Sequence, residues 1–170
     1  DGKIYGLPKE VGGLALYINE DILAAAGVGV PSSWQDFIDG AKKMTVRNIA
    51  GQIQTAGAAM GTTTNVDFWP EILATLFLQQ PDGNLNSPAS ASGSDVLQFY
   101  TNFVTDPRSK TWDVTLPSST QEFSDGKLAF YFGSYGIAQT FQASNPNLHF
   151  KVVPVPQLPG RQISYGGFGA

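Results

Sequence analysis

The residue types that most often perform catalysis or bind metals are nearly absent from this sequence. Its 170 residues include one histidine, His149, and no cysteine, which excludes thiol nucleophiles, disulfides and cysteine-based zinc sites. A metal site would need carboxylates alone, and none are spaced for one. No serine stands in a nucleophile-elbow motif, and no carboxylate pair suits glycoside hydrolysis. We therefore expect no metal, no cofactor and no catalysis, and we interpret His149 as a residue on the surface of a strand.

The glycine-rich end and the charge argue against nucleotides and nucleic acids. Gly166, Gly167 and Gly169 resemble a phosphate-binding loop only superficially, because the strand-then-helix context of such a loop does not follow. The formal net charge is −4, and the ten basic residues are scattered rather than clustered, which argues against a phosphate-backbone partner. No apolar run is long enough to span a membrane. No signal peptide is found at the start of the sequence, which is also what we expect if an export signal has been removed.

The composition is that of a globular domain with few charges on its surface. Apolar residues make up 42% and aromatic residues 12% of the chain, whereas charged residues reach only 14%, about half their usual share. Neutral polar side chains fill the difference, as on surfaces that face neutral polyols or open extracellular water. The length suits a single domain.

The hydrophobic pattern predicts strands that alternate with helices. The uninterrupted apolar run 14–18 is typical of a strand buried on both faces, which requires helices on both sides of the sheet. Asn19 and Gly27 delimit a short helix, and Ser33 with Asp36 forms a capping-box-like start for a second helix at Trp34. Further strands are predicted at residues 4–7, 53–60, 128–132, 150–155 and 163–168, and further helices at 68–80, around 96–104 with Leu97 on the buried stripe, at 119–123 and from 136 to about 143. The fold class is α/β.

Short motifs occur in a characteristic order along the chain. They are Gly2-Lys3-Ile4-Tyr5-Gly6-Leu7-Pro8, Leu16-Tyr17-Ile18-Asn19-Glu20-Asp21-Ile22-Leu23 with Ala26-Gly27-Val28, Pro31-Ser32-Ser33-Trp34-Gln35-Asp36-Phe37 with Ala41-Lys42-Lys43-Met44-Thr45, Phe123-Ser124-Asp125-Gly126-Lys127-Leu128-Ala129-Phe130, Gly133-Ser134-Tyr135 and Val153-Pro154-Val155-Pro156. Together, in this order and spacing, they make the chain resemble the extracellular solute-binding proteins of ABC importers, the family that includes the maltose-binding protein. The resemblance covers essentially all 170 residues.

The resemblance implies a protein of two lobes that close on a ligand by hinge motion. This chain would be its second, C-terminal lobe, a single domain over residues 1–170 with hinge crossings at about 3–14 and 164–170. The implied fold is a three-layer α/β/α lobe of the type II periplasmic-binding-protein-like fold. The whole protein would be extracellular or periplasmic, free or lipid-anchored, and the exposed cleft face of the isolated lobe could promote dimers.

The function implied by the resemblance is capture of a small solute for uptake by an ABC permease, with a mono- or oligosaccharide favoured. Two alternatives remain open. The same fold could bind a polyamine, a phosphate ester or a metal chelate, for which Lys9, Glu10, Asp67 and Arg161 offer charges near candidate loops. A carbohydrate-active enzyme domain is the other alternative, although no catalytic constellation supports it.

The resemblance also implies which residues would face the cleft. Sugars are recognised by aromatic rings that stack on their apolar faces and by polar groups that bind their hydroxyls. Tyr135 occupies the family's stacking position, and Gly133, Ser134 and Gly136 lie beside it, where glycine permits close approach to the backbone. Tyr135 could instead be a helix-start tyrosine that covers the edge of the sheet.

Two further segments are candidate contacts. Glu10, Gly12 and Gly13 lie in the first crossing, where the family presents polar groups, although Gly12 stands where maltose-type members carry a carboxylate and Glu10 could simply be solvated. Asn65, Asp67 and Trp69 precede or begin a helix. For Asp67 we favour a role as the N-cap of that helix, and Trp69 suits the core as well as a stacking platform. Trp34 is expected in the core, and the sequence does not decide the role of Trp112.

Overall fold

The computed structural model of the chain describes residues 10–86 and 91–169. The predicted strand at residues 4–7, the first part of the first crossing and Ala170 lie outside the described residues. The elements are β1 Glu10–Asn19, α1 Glu20–Ala26, α2 Trp34–Met44, β2 Val46–Arg47, β3 Ile53–Ala58, α3 Trp69–Gln79, α4 Ala91–Thr105, α5 Ser119–Ser124, β4 Leu128–Ser134, a 3-10 helix Tyr135–Ile137, α6 Ala138–Ser144, β5 Phe150–Val153 and β6 Gly166–Gly169. Every element predicted within the described ranges is present, and β2 was not predicted.

Differences from the prediction occur at element ends. The strand predicted for 150–155 ends at Val153, because Pro154 has no N–H group for a strand pair. The extended segment predicted for 163–168 becomes a strand only at Gly166.

The buried face of α4 also differs from the prediction. Leu97 was predicted on the buried stripe of α4, but it is 47% exposed, whereas Val96 and Tyr100 are buried. The apolar stripe of α4 is thus narrower than the sequence indicates, and Leu97 lies beside it.

The sheet has the order β2-β3-β4-β1-β5, and β6 pairs with β1 beyond this core. β1 runs antiparallel to β4, β5 and β6, and β3 and β4 are parallel. The second half of β1 pairs inside the sheet, with Tyr17 opposite Tyr131. Its first half pairs only with β6, with Gly13 opposite Gly166. One strand therefore belongs both to the central sheet and to a two-stranded ribbon that leaves it.

Aromatic clusters cover both faces of the sheet. Neighbouring residues of a strand point to opposite faces, so Tyr17 and Tyr131 share one face while Leu16 and Phe132 share the other. The first cluster consists of Tyr17, Phe123, Tyr131, Phe141 and Phe150, with contributions from α5 and α6. The second consists of Trp34, Phe37, Phe99, Phe103, Phe130 and Phe132, with contributions from α2 and α4. Helices on both faces confirm the predicted three-layer α/β/α architecture.

The first helix begins and ends where the sequence predicts, and the second begins where it predicts. The Asn19 side chain accepts hydrogen bonds from the backbone of Asp21 and Ile22, and Gly27 ends α1 in the left-handed conformation with a φ of 60°. Ser33 and Asp36 form a reciprocal capping box at α2. Hydrogen bonds from Ser32 and Ser33 lower the pKa of the Asp36 carboxyl. Among the described residues, no helix has the length and apolarity that a membrane crossing requires.

Candidate ligand-binding site

Tyr135 is the most exposed aromatic residue of the predicted site. It follows β4 directly, begins the 3-10 helix and is 59% exposed. Its ring lies against Gly13 of β1, where a β-carbon would come within 2.9 Å of Tyr135 Cε2. Ser134 pairs with Leu14, the residue after Gly13. The structure thus brings Tyr135, Ser134 and Gly13 together at the point where β1 leaves the sheet.

Gly133 makes room for a protein side chain. A β-carbon on Gly133 would lie 2.5 Å from Cε1 of Tyr131, whose ring folds over this position. The Tyr131 hydroxyl bonds with Thr120 Oγ1 at 3.0 Å, and burial raises the pKa of Tyr131. Gly133 is itself buried, so the packing of Tyr131 is sufficient to explain glycine at this position.

The first crossing presents mainly backbone. Gly12 pairs with Gly167, and Glu10 pairs with Gly169. Gly12 is exposed, while the side chain of Glu10 lies outside the described residues. The exposed part of this crossing is thus the backbone at Gly12, and ligand contacts from Glu10, Gly12 and Gly13 stay a prediction.

Asn65 is occupied by bonds within the protein. Its Oδ1 accepts hydrogen bonds from Thr62 Oγ1 and from Trp112 Nε1, the latter at 2.9 Å. Its Nδ2 donates to the main-chain oxygens of Asp113 and Leu116. An amide has two donors and one oxygen with two lone pairs, so these four bonds use its whole capacity. Contact between Asn65 and a ligand, which stays a prediction, would have to replace one of them.

The favoured interpretation of Asp67 as the N-cap of α3 is wrong. Phe68 occupies that position and makes no side-chain cap bond. The Asp67 carboxylate instead accepts hydrogen bonds from Ser119 Oγ and from the backbone and hydroxyl of Thr120, at the start of α5. The positive end of a helix attracts a carboxylate, and here the helix that Asp67 serves is distant in sequence.

Trp69 combines features of both predicted roles. It is half-buried, begins α3 and packs against the core. The preceding Phe68 packs edge-on against Tyr131, with 6.3 Å between ring centroids. Stacking of a ligand on Trp69 therefore stays a prediction.

The other two tryptophans belong to the core. Trp34 is 7% exposed, as predicted, and its indole N–H donates to Gln79 Oε1 at 2.9 Å. Trp112, which the sequence left undecided, is fully buried and donates to Asn65. A buried indole needs an acceptor for its N–H group, and each of these tryptophans has an amide side chain for that purpose.

Tyr17 is a residue near the site that sequence reasoning missed. It is fully buried, and its hydroxyl donates to the main-chain oxygen of Ser134 at 2.7 Å, with a longer contact to that of Tyr135 at 3.2 Å. Burial raises the pKa of Tyr17, so its hydroxyl remains protonated. A signal existed in the sequence, because Tyr17 is the one polar-tipped residue in the apolar run 14–18, and a buried hydroxyl needs a partner.

Neither the histidine nor an apolar pocket between three helices joins the site. His149 lies at the surface immediately before β5, and its Nδ1 is 3.1 Å from Asp21 Oδ2. In the described ranges, no group of three or more histidine, cysteine, aspartate or glutamate residues could hold a metal ion. An apolar pocket of about 270 Å³ opens between α2, α3 and α4, with Trp34, Leu76 and Phe99 in its lining. It lies on the opposite face of the sheet from Tyr17.

Comparison with known proteins gives consistent matches. The family model for bacterial extracellular solute-binding proteins matches residues 1–169. An arabinooligosaccharide-binding protein from Halalkalibacterium halodurans is 31% identical over 72 residues, which are 41% of this chain and 14% of that protein.

Solved structures match along nearly the whole chain. The maltose/maltodextrin-binding domain MalE from Bdellovibrio bacteriovorus, bound to maltotriose, has a TM-score of 0.75 at 22% identity, over 99% of this chain and 44% of that one. UgpB from Mycobacterium tuberculosis, in complex with glycerophosphocholine, has a TM-score of 0.70 at 18% identity, over 99% and 42%. These matches confirm the predicted periplasmic-binding-protein-like lobe. The chain spans less than half the length of each of these proteins.

Proposed function

Because this chain belongs to the bacterial extracellular solute-binding proteins, we propose that it forms the second, C-terminal lobe of such a protein. Residues 1–170 would be one domain, bounded by hinge crossings at about 3–14 and 164–170. The ribbon of β1 and β6 supports this proposal, since two antiparallel strands leave the sheet side by side. The 44% coverage of MalE agrees with a single lobe of a two-lobe protein.

The proposed ligand is a mono- or oligosaccharide. The observation that carries this proposal is the Tyr135 ring, which is largely exposed and lies on the bare backbone of Gly13. An exposed ring that packs against the backbone suits the apolar face of a pyranose, and adjacent backbone groups can bind its hydroxyls. The arabinooligosaccharide-binding relative points to the same class of solute.

The proposed mechanism is capture rather than catalysis. A sugar that contacts both lobes stabilises the closed state through its higher affinity for that state. The closed protein would deliver the solute to an ABC permease, outside the cell or in the periplasm, with or without a lipid anchor. Conversion of the sugar to any product by the full-length protein would contradict this part of the proposal.

The first experiment is a calorimetric titration of the full-length protein that carries this chain. The panel would contain arabinotriose, maltotriose, mannobiose and glycerophosphocholine. We expect binding to at least one of the saccharides, and the Tyr135→Ala variant should raise its Kd about tenfold or more, because the stacking surface is lost. Tyr135→Phe is the matched control, since it keeps the ring and should stay within about threefold of the wild type.

The same panel tests the alternatives. If only glycerophosphocholine binds, the solute is a phosphate ester and the sugar proposal is wrong. If a saccharide binds but Tyr135→Ala leaves its Kd unchanged, the lobe binds sugar elsewhere. On the described residues, no observation favours a charged ligand over a neutral one.

A further inference from the structure

The exposed Tyr135 ring is connected to a buried residue that no ligand can reach. Tyr17 lies on β1 with no exposed surface, and its ring packs against Phe123, Tyr131, Phe141 and Phe150. Its hydroxyl lies beneath the turn after β4 and donates to the main-chain oxygens of Ser134 and Tyr135. Besides the pairing of Ser134 with Leu14, the Tyr17 hydroxyl therefore links the turn that carries the Tyr135 side chain to the core.

A second constraint on Tyr135 comes from the same strand. Tyr17 and Gly13 are four residues apart on β1 and point to the same face. The ring of Tyr135 lies over Gly13, and the three atoms nearest to a β-carbon placed there all belong to that ring. β1 thus fixes Tyr135 at two places: Tyr17 holds its main chain, and the flat backbone of Gly13 supports its ring.

We propose that Tyr17, together with Gly13, is a positioning residue that holds the Tyr135 ring ready for a ligand. This inference rests on the proposed function, because it assigns Tyr17 a role in the affinity of the same site. A ring that is already held loses less conformational freedom when a ligand binds. Tyr17 acts only through Tyr135 and touches no ligand itself.

A double-mutant cycle on the full-length protein tests this role. The four proteins are the wild type, Tyr17→Phe, Tyr135→Ala and the double variant, and the probe is whichever saccharide of the panel above has the lowest Kd. Tyr17→Phe keeps the ring in its cluster and removes only the hydroxyl. We expect it to raise the Kd about fivefold when Tyr135 is present, the equivalent of one hydrogen bond. In the Tyr135→Ala background its effect should be about twofold or less.

A second readout does not depend on sugar. The NMR signals of the Tyr135 ring in the ligand-free protein should shift or broaden in Tyr17→Phe, because the turn is released. Gly13→Ala should shift them too, since its β-carbon would meet the ring at 2.9 Å. Ring signals that stay unchanged in both variants would overturn the proposal, whether or not any saccharide binds.

The control is a tyrosine of the same kind elsewhere. Tyr100 is also buried, and its hydroxyl donates to the main-chain oxygen of Thr62 at 2.7 Å. Tyr100→Phe should destabilise the fold to a similar degree and leave the Tyr135 ring signals in place. A Tyr17→Phe effect on Kd that is equal with and without Tyr135 overturns the positioning role alone. An unchanged Kd in Tyr135→Ala overturns the proposed binding site, and the inference fails with it.

Discussion

Asn65 shows how one polar side chain can organise a region of the fold. Its amide links the indole of Trp112, the hydroxyl of Thr62 and the loop that contains Asp113 and Leu116. The sequence identified Asn65 as a candidate ligand contact, because it stands in a polar loop before a helix. Its partners other than Thr62 lie about fifty residues away, and single-sequence patterns do not reveal such long-range contacts.

Asn65→Ala should therefore lower stability strongly. The substitution leaves a buried indole N–H and the main-chain oxygen of Leu116 without their partners and removes one of two bonds to the main-chain oxygen of Asp113. We therefore expect the free energy of unfolding to fall by about 2–4 kcal/mol. Urea unfolding measures this, and the exposed Asn147→Ala should change it by about 0.5 kcal/mol or less. A variant that keeps wild-type stability but loses ligand affinity would instead support a direct contact between Asn65 and the ligand.

The tyrosine residues also show that local motifs can be recognised in the sequence, whereas contacts between distant residues cannot. A local motif marked Tyr135 as a candidate and left two roles open, and the structure shows that the residue is exposed. The partner of Tyr17 lies 117 residues along the chain, so its hydroxyl could be recognised as needing an acceptor but could not be assigned one.

At the scale of elements, helix ends set by local bonds were predictable. Asn19, Gly27 and the Ser33 capping box act within a few residues, and α1 has the predicted bounds while α2 has the predicted start. The Asp67 carboxylate acts on α5, about fifty residues away, which is why the local N-cap interpretation failed. The two-residue strand β2 is too short for a periodic pattern to indicate.

The loop between α4 and α5 should make the free energy of unfolding depend on pH in the acid range. Hydrogen bonds from Lys110 and Thr115 lower the pKa of Asp113 from 3.8 to about 2. A carboxyl group whose pKa is lower in the folded than in the unfolded state stabilises the fold at pH values above its unfolded-state pKa. This stabilisation disappears as the pH falls through the folded-state pKa. Between about pH 4 and pH 2 the protein should thus lose about 1 kcal/mol from this group, because solvent screens a partly exposed ion pair.

Urea unfolding at several pH values checks this dependence. Asp113→Asn should remove that part of the pH dependence, and Lys110→Met should reduce it, because the largest contribution to the lowered pKa comes from Lys110. Variants whose stability falls as steeply as that of the wild type between pH 4 and pH 2 would show that other carboxyls are responsible.

At the scale of the whole molecule, the architecture was predictable and the strand order was not. An apolar run without alternation implied a strand covered on both faces, and the two aromatic clusters show how it is covered. The order β2-β3-β4-β1-β5 depends on which strand edges meet, and neither periodicity nor composition carries that information.

Both aromatic clusters should be necessary for stability. Phe37 and Phe123 have no exposed surface and lie in different clusters on opposite faces of the sheet. Phe37→Ala and Phe123→Ala should each lower the free energy of unfolding by about 3–5 kcal/mol. Leu97→Ala is the control, because Leu97 is 47% exposed and should cost about 0.5 kcal/mol. A small loss at either phenylalanine would mean that its layer contributes little to the fold.

The ribbon of β1 and β6 also has an elastic consequence. At two of its paired positions glycine lies opposite glycine, Gly12 opposite Gly167 and Gly13 opposite Gly166. No cross-strand contact between side chains therefore stiffens the ribbon at these positions. Beyond Gly13, whose backbone packs against the Tyr135 ring, such a ribbon twists more easily than the central sheet, in which the second half of β1 is fixed. If this ribbon is one of the hinge crossings proposed above, its low torsional stiffness would reduce the elastic energy that a ligand must supply to bring the two lobes together.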